Sequence, residues 1–314
     1  MTKPVEDILP LPMDTKVQQY MDFYHDALHE LVCFGTHILK WSLYQGKSKV
    51  EIGTEIDMAA PLLFRHILEL IDAISVQIKA GVAVPCKVHL RALLEAYLSL
   101  EYMLEKDRTR RAACFMIVDR YRQLSYYRRL TPGTKENEAF KKDLENFGPS
   151  FKGLSTFPEA GPMLKSYEQI VALPIYKDVR KEYLELVKAK PKAEIKWYSL
   201  FQGPVSVLWL AKKLKKLDWY ESFYKSWSNP IHGTGLSTNV LVRGKDGLGA
   251  MIQIRNMTEA HEVVTQTALL TSMLYVELMA FKVVPEYRRE ISEWFQRYQV
   301  EYRTPLETRK INFT

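Results

Sequence analysis

Cysteine is scarce: Cys33, Cys86 and Cys114 are the three in 314 residues, far apart and without a CxxC pair. That excludes a disulfide scaffold and any Cys/His cluster of zinc-finger spacing, and it fits a reducing cytoplasm. Glycine is also sparse, at 14 residues. Neither GxxxxGK[ST] nor GxGxxG occurs, so the phosphate-cradling loops of nucleotide enzymes are missing, and no GxSxG elbow is present. A long uninterrupted apolar run is lacking as well. The longest stretch, Val263 to Val284, is broken by Thr265, Gln266, Thr267, Glu277 and Lys282, which describes a buried amphipathic helix better than a membrane span. The N-terminal MTKPVEDILPLPMD has neither the basic start nor the apolar run of a signal peptide. The expectation is a cytoplasmic protein with no cofactor, no bound metal and no membrane partner.

What is present is helical periodicity. With 47% hydrophobic residues the chain can bury a substantial core. Apolar spacing predicts helices over 15–44, 55–79, 83–106 and 107–130. Shorter ones follow over 163–172, 175–190, 204–216 and 218–228, and two more over 258–283 and 286–300. Pro85, Pro174, Pro204 and Pro285 stand where helices should begin, matching proline's tolerance in a first turn. Residues 239–243 and 250–254 run apolar around a glycine-containing turn, which predicts a small β-hairpin near 239–254. The expected architecture is an all-α multi-helix bundle. It has an N-terminal helix region (1–54), a helical core (55–300) with a peripheral insertion at about 131–195, and a C-terminal tail (301–314).

Charge is unevenly spread. Residues 1–105 carry net −5, residues 106–216 net +12, and residues 217–314 are neutral, giving +7 overall. Within 106–130, Arg110, Arg111, Arg120, Arg122, Arg128 and Arg129 interleave with Tyr121, Tyr126 and Tyr127. Guanidinium groups beside flat rings suit phosphates and unstacked bases, so this stretch is a candidate nucleic-acid surface. The same residues would also serve as an ordinary solvated helix face.

Four further groups bear chemistry. On the first helix His25, His29, Cys33 and His37 recur every fourth residue. The i, i+4 histidine pair has zinc-chelating geometry, but the stripe lies off the apolar face beside Asp22, Asp26 and Lys40, as solvated residues do. On the third helix Arg91 and Glu95 can pair at i, i+4 within an otherwise apolar element. His66, Glu69 and Asp72 on the preceding helix could line the same pocket or simply make structural hydrogen bonds. In YESFYKSWSNPIHGT (220–234), Pro230 and Gly233 hold His232 at a helix-to-loop junction, with Ser226 and Asn229 able to orient its ring. Finally, Arg255 and Asn256 precede His261 at the start of the last long helix. This is similar to the spacing of HEPN-type ribonucleases, which implies Arg255 stabilising phosphorane charge and His261 handling the 2′-hydroxyl proton without a metal.

Several stretches together resemble a known family. They are His66-Ile-Leu-Glu-Leu-Ile-Asp-Ala-Ile-Ser75, Leu90-Arg-Ala-Leu-Leu-Glu95 with Leu100-Glu-Tyr-Met-Leu104, and Arg111-Ala-Ala-Cys-Phe115. Trp197-Tyr198, Leu210-Ala211 and Tyr220-x3-Tyr224-x-Ser-Trp-Ser-Asn-Pro-Ile-His232-Gly233 belong with them. Across roughly 55–285 the chain is similar to a bacterial domain of unknown function, family 5677, whose helical members resemble HEPN-like and abortive-infection proteins. Its polar motif positions fall on Arg91, Glu95, Ser226 and His232. The resemblance implies RNA as a partner and a homodimer that composes the active site. It also implies a role in anti-phage defence or stress, with a defence-system partner protein. On that basis the expected activity is a metal-independent ribonuclease using His232 or His261, and the alternative is a non-catalytic helical module that senses a ligand or protein.

Overall fold

The computed structural model describes residues 8–9, 13–44, 58–146, 157, 159–191, 193–228, 241–243, 249–282 and 287–308. The chain is all-α. Two three-residue strands, Leu241–Arg243 and Gly249–Met251, pair antiparallel with Leu241 opposite Met251, and they add no layer to the fold. The chain divides into two compact units: Met1–Glu51, Ala60–Leu104 and Ala211–Thr314 form the first, Ile52–Ala59 and Glu105–Leu210 the second.

The first unit is built on α1 (Thr15–Tyr44), α2 (Ala59–Lys79), α3 (Cys86–Glu105) and a long late helix, α11 (Ala260–Lys282). Asp14 starts α1 by accepting the Lys16 backbone N–H at 2.8 Å, a standard N-cap. Met21, Tyr24, Ala27, Leu28, Leu31, Phe34 and Ile38 then fall on one buried face, and α11 packs on α1. Their close approach depends on Gly35. A Cβ there would overlap the Tyr275 hydroxyl and Leu68 Cδ2, and that hydroxyl donates to the Leu31 carbonyl at 2.6 Å. After Lys79, Gly81 (φ 75°) ends α2 in the left-handed conformation that glycine adopts without cost. A further helix, α12 (Arg288–Tyr298), lays Trp294 flat on Phe34, ring centroids 3.8 Å apart, and ties its indole N–H to Glu30 at 2.6 Å. A π-helical turn (Gln299–Arg303) and α13 (Thr304–Thr308) continue from it, so helix extends into the region expected to be a tail.

The second unit is organised around α4 (Arg108–Leu130), which packs against α5 (Lys135–Asn146), α6 (Ala160–Ala172), α7 (Lys177–Ala189) and a 3₁₀ segment, Trp197–Gln202. Residues 111–114 and 116–118 are buried on successive sides of α4 because helices surround it. The unit therefore takes in the whole of α4 as well as the segment that follows it. α5 was not evident from periodicity, since KENEAFKKDLEN is polar on nearly every side. Thr134 supplies its start by accepting the Asn137 N–H at 3.1 Å, and the fully buried Asn137 amide reaches back to the Arg129 carbonyl at 2.7 Å. The 3₁₀ segment is followed by α8 (Val207–Lys213), within which, from Ala211, the chain belongs to the first unit.

Candidate functional site

Within the first unit, α3 carries a polar stripe through a largely buried helix. Lys87, Arg91 and Glu95 recur every four residues, and a step of four brings side chains one above another. Lys87 pairs with Glu259, just before α11, at 2.8 Å. Arg91 and Glu95 pair with each other, Nε to Oε1 at 3.3 Å, as their spacing predicts. Their third partner is Tyr224. Its hydroxyl accepts from Arg91 Nη2 at 2.8 Å and donates to Glu95 Oε1 at 2.6 Å, while the guanidinium lies over its ring, 4.5 Å from the centroid.

Tyr224 reaches this position through irregular backbone. After α9 (Leu217–Trp219), residues Tyr220–Tyr224 wind as a π-helix before α10 (Lys225–Ser228) resumes α geometry. Single π-turns of this kind recur at functional sites because they re-aim a side chain at the expense of regular hydrogen bonding. Tyr220 stacks on Tyr224 at 4.8 Å, giving a column of guanidinium, ring and ring. Phe223 stacks likewise on the buried Trp227, whose indole N–H donates to Gln266 of α11 at 3.2 Å. Burial, with the neighbouring Glu95 carboxylate second, holds the Tyr224 phenol well above its ordinary value, so it remains a donor at neutral pH.

A second cluster lies further along α3. Lys216 Nζ is 3.1 Å from the Tyr97 hydroxyl, 3.4 Å from Glu277 and 3.4 Å from Glu101, and it sits over the rings of Trp219 and Tyr97. Tyr97 donates its own proton to Glu277 at 2.7 Å. Burial first, and Glu277 second, raise the Tyr97 phenol far above its usual range.

The remaining candidates are dispersed. His232 and Asn229 lie outside the described residues. Ser226 spends its hydroxyl on the Phe223 carbonyl at 2.8 Å, within its own helix. Asn256 accepts from the Thr258 N–H at 2.9 Å, shaping the approach to α11. His261, in the first turn of α11, meets the Tyr24 hydroxyl through Nδ1 at 3.1 Å. Arg255 makes no ion pair among the described residues. His66 and Glu69 stand on the exposed side of α2, where Glu69 also takes Arg65 at 2.7 Å. On α1, His25 stacks on His29, which approaches Asp72 at 4.0 Å. Among the described residues no three ligating side chains come close enough to hold a metal ion, and no helix is long and apolar enough to cross a membrane.

In the second unit, the basic residues of α4 are engaged with their own surroundings. Arg111 is buried and paired with Glu105 at 3.0 Å. Arg110 pairs with Asp107 and covers the Phe201 ring, and Arg120 pairs with Asp119 at 3.3 Å and covers Tyr167. Arg122 reaches Glu194 at 2.7 Å, Arg128 reaches Glu168 at 3.5 Å, and Arg129 lies over Phe140. Tyr127 stacks on Tyr167, while Tyr126 is exposed and meets Tyr127 edge-on. Much of the positive charge counted along this segment is thus offset by acidic side chains of the same unit.

Two of the residues that complete these clusters, Tyr224 and Lys216, were not singled out by spacing. A tyrosine in a buried helical turn must find a partner for its hydroxyl, and that requirement was the available signal for Tyr224. Lys216 is separated from Tyr97 and Glu101 by more than a hundred residues, and nothing local marks it.

The family model described as "Family of unknown function (DUF5677)" matches residues 57–248, a span that includes Arg91, Glu95, Tyr224 and Lys216. No curated protein and no solved structure matches the chain.

Proposed function

We propose, for a chain that belongs to the DUF5677 family of unknown function, that it acts as a non-catalytic helical binding module reading an anionic group through Arg91. The observation behind this reading is the π-helical turn that delivers Tyr224 to the Arg91–Glu95 pair. Tyr224 and Glu95 engage Nη2 and Nε, which leaves three of the five guanidinium N–H donors without a partner among the described residues. A planar fork held from one side is suited to a carboxylate or phosphate on the other. Burial raises the phenols of Tyr224, Tyr97 and Tyr24 to more alkaline values, so each remains a hydrogen-bond donor at neutral pH. The test is titration of wild type and Arg91→Met with inorganic phosphate and with succinate at constant ionic strength, following Tm. A saturable rise in wild type that Arg91→Met lacks is the expected result. Equal responses, or none in wild type, would reject the reading.

A second reading keeps the ribonuclease, motivated by the contact of His261 Nδ1 with the Tyr24 hydroxyl. There Tyr24 would fix the imidazole, Arg255 would stabilise charge on phosphorus, and His261 or His232 would carry the proton. This reading makes RNA the substrate and a cytoplasmic HEPN-like homodimer the active species, in anti-phage defence or stress with a defence-system partner protein. It requires RNA cleavage in EDTA that disappears in His261→Ala or His232→Ala.

A further inference from the structure

The surroundings of Lys216 have the chemistry of a receptor for an ammonium group. Trp219 presents its ring face 4.4 Å from Nζ, the Tyr97 ring centroid is 5.0 Å away, and Glu101 and Glu277 supply carboxylate oxygens at 3.4 Å each. A Tyr97 oxygen stands at 3.1 Å, and the lysine side chain is only 13% exposed. A structural ion pair needs one carboxylate, and the Trp219 ring adds cation–π attraction to the two present here. A ring face with acidic groups beside it is a setting in which proteins bind desolvated ammonium ions. One ammonium here faces two carboxylates.

Lys216 reaches this place from the turn between α8 and α9, at the N-cap of the helix that carries Trp219. It follows α8 in a capping turn: its N–H bonds the Ala211 carbonyl at 2.8 Å, and the Lys215 N–H bonds that of Lys212 at 3.1 Å. Lys215 holds φ 59°, the left-handed region that favours glycine at such a cap. The position after it usually carries an apolar residue that packs back on its own helix. Here it carries a lysine that enters the cage.

We propose that Tyr97, Trp219, Glu101 and Glu277 form a binding site for a primary alkylammonium ion, which Lys216 fills in cis as a displaceable plug. The external ligand is a protonated amine, supplied by a free polyamine or by a lysine side chain of a partner. This site is independent of the anion reading at Arg91, and each stands or fails separately.

The experiment vacates the cage and offers a substitute. Lys216→Ala is titrated with n-butylammonium chloride against sodium chloride at equal ionic strength, with Tm and tryptophan emission as readouts. The expected result is a saturable rise in Tm in Lys216→Ala, at least tenfold weaker in wild type and at least tenfold weaker in Lys216→Ala/Glu277→Gln. Spermidine and Nα-acetyl-lysine methylamide, titrated in parallel, separate the two ligand sources by which one binds more tightly. A folded Lys216→Ala that shows no saturable response overturns the proposal, as does a response undiminished by Glu277→Gln. Should Lys216→Ala not fold, Lys216→Met is refolded with and without n-butylammonium. Recovery that depends on the amine supports the cage, and recovery indifferent to it overturns it.

Discussion

Removing one oxygen from Tyr224 isolates the contribution of the π-turn. Tyr224→Phe keeps the ring beneath the Arg91 guanidinium and its stack on Tyr220, and it leaves the direct Arg91–Glu95 contact at 3.3 Å in place. Only the hydroxyl's two charge-assisted hydrogen bonds disappear, at 2.8 and 2.6 Å. In a buried setting each would be worth about 1.5–3 kcal/mol. Water can replace part of that here, because the Glu95 side chain is 41% exposed and that of Arg91 21%. The net loss should therefore be about 1–2 kcal/mol, a fall in Tm of a few degrees. Urea denaturation at pH 7 followed by tryptophan emission measures it, and repeating the change in Arg91→Met supplies the control. With Arg91 gone one of the two bonds is already lost, so the second substitution should cost about half as much. A loss below about 0.5 kcal/mol, or an equal loss in both backgrounds, would show that the three side chains are not coupled.

Other expectations follow from the same structure. Gly35→Ala should destabilise the first unit by about 1–3 kcal/mol through overpacking, which outweighs the helix propensity gained, and a Tm at or above wild type would contradict it. Burial raises the Cys86 and Cys114 thiols from 9.0 to about 12 and the Tyr24 phenol from 10.0 to about 12. Each group keeps its proton longer in the folded state, so its stabilisation is complete below pH 9 and is lost as pH rises from 9 to 12. Urea midpoints that stay level or rise between pH 8.5 and 11 would refute this. Cys33 is exposed while Cys86 and Cys114 are buried, so an aromatic disulfide reagent should titrate one thiol per native chain and three in urea.

The helices were legible where burial is one-sided. On α1 the residues Tyr24, Ala27, Leu28, Leu31, Val32, Phe34, Ile38 and Leu39 announce one apolar face, and all are buried except the half-buried Val32 and Leu39. α5 was hidden because its stability comes from the Thr134 cap and from packing on α4, neither of which leaves an apolar stripe. The Arg91–Glu95 pair could be read from its spacing alone. Its completion by Tyr224 could not, since a π-turn carries no periodic signature: Tyr220, Phe223, Tyr224 and Trp227 sit as they would on an ordinary helix. Charge was the least transferable signal. The arginines of α4 read as an open basic surface, yet Arg111, Arg122 and Arg128 meet carboxylates that belong to residues 6 to 72 positions away. Lys216 was one more positive charge in a basic segment, and it lies among two carboxylates and two rings.

The central claim is that the chain binds without cleaving, and the most direct measurement is incubation of the wild-type protein with total RNA in EDTA. The account predicts an RNA size distribution unchanged from the protein-free control. Fragments ending in 2′,3′-cyclic phosphate that vanish with His261→Ala would contradict it and move the function to the start of α11.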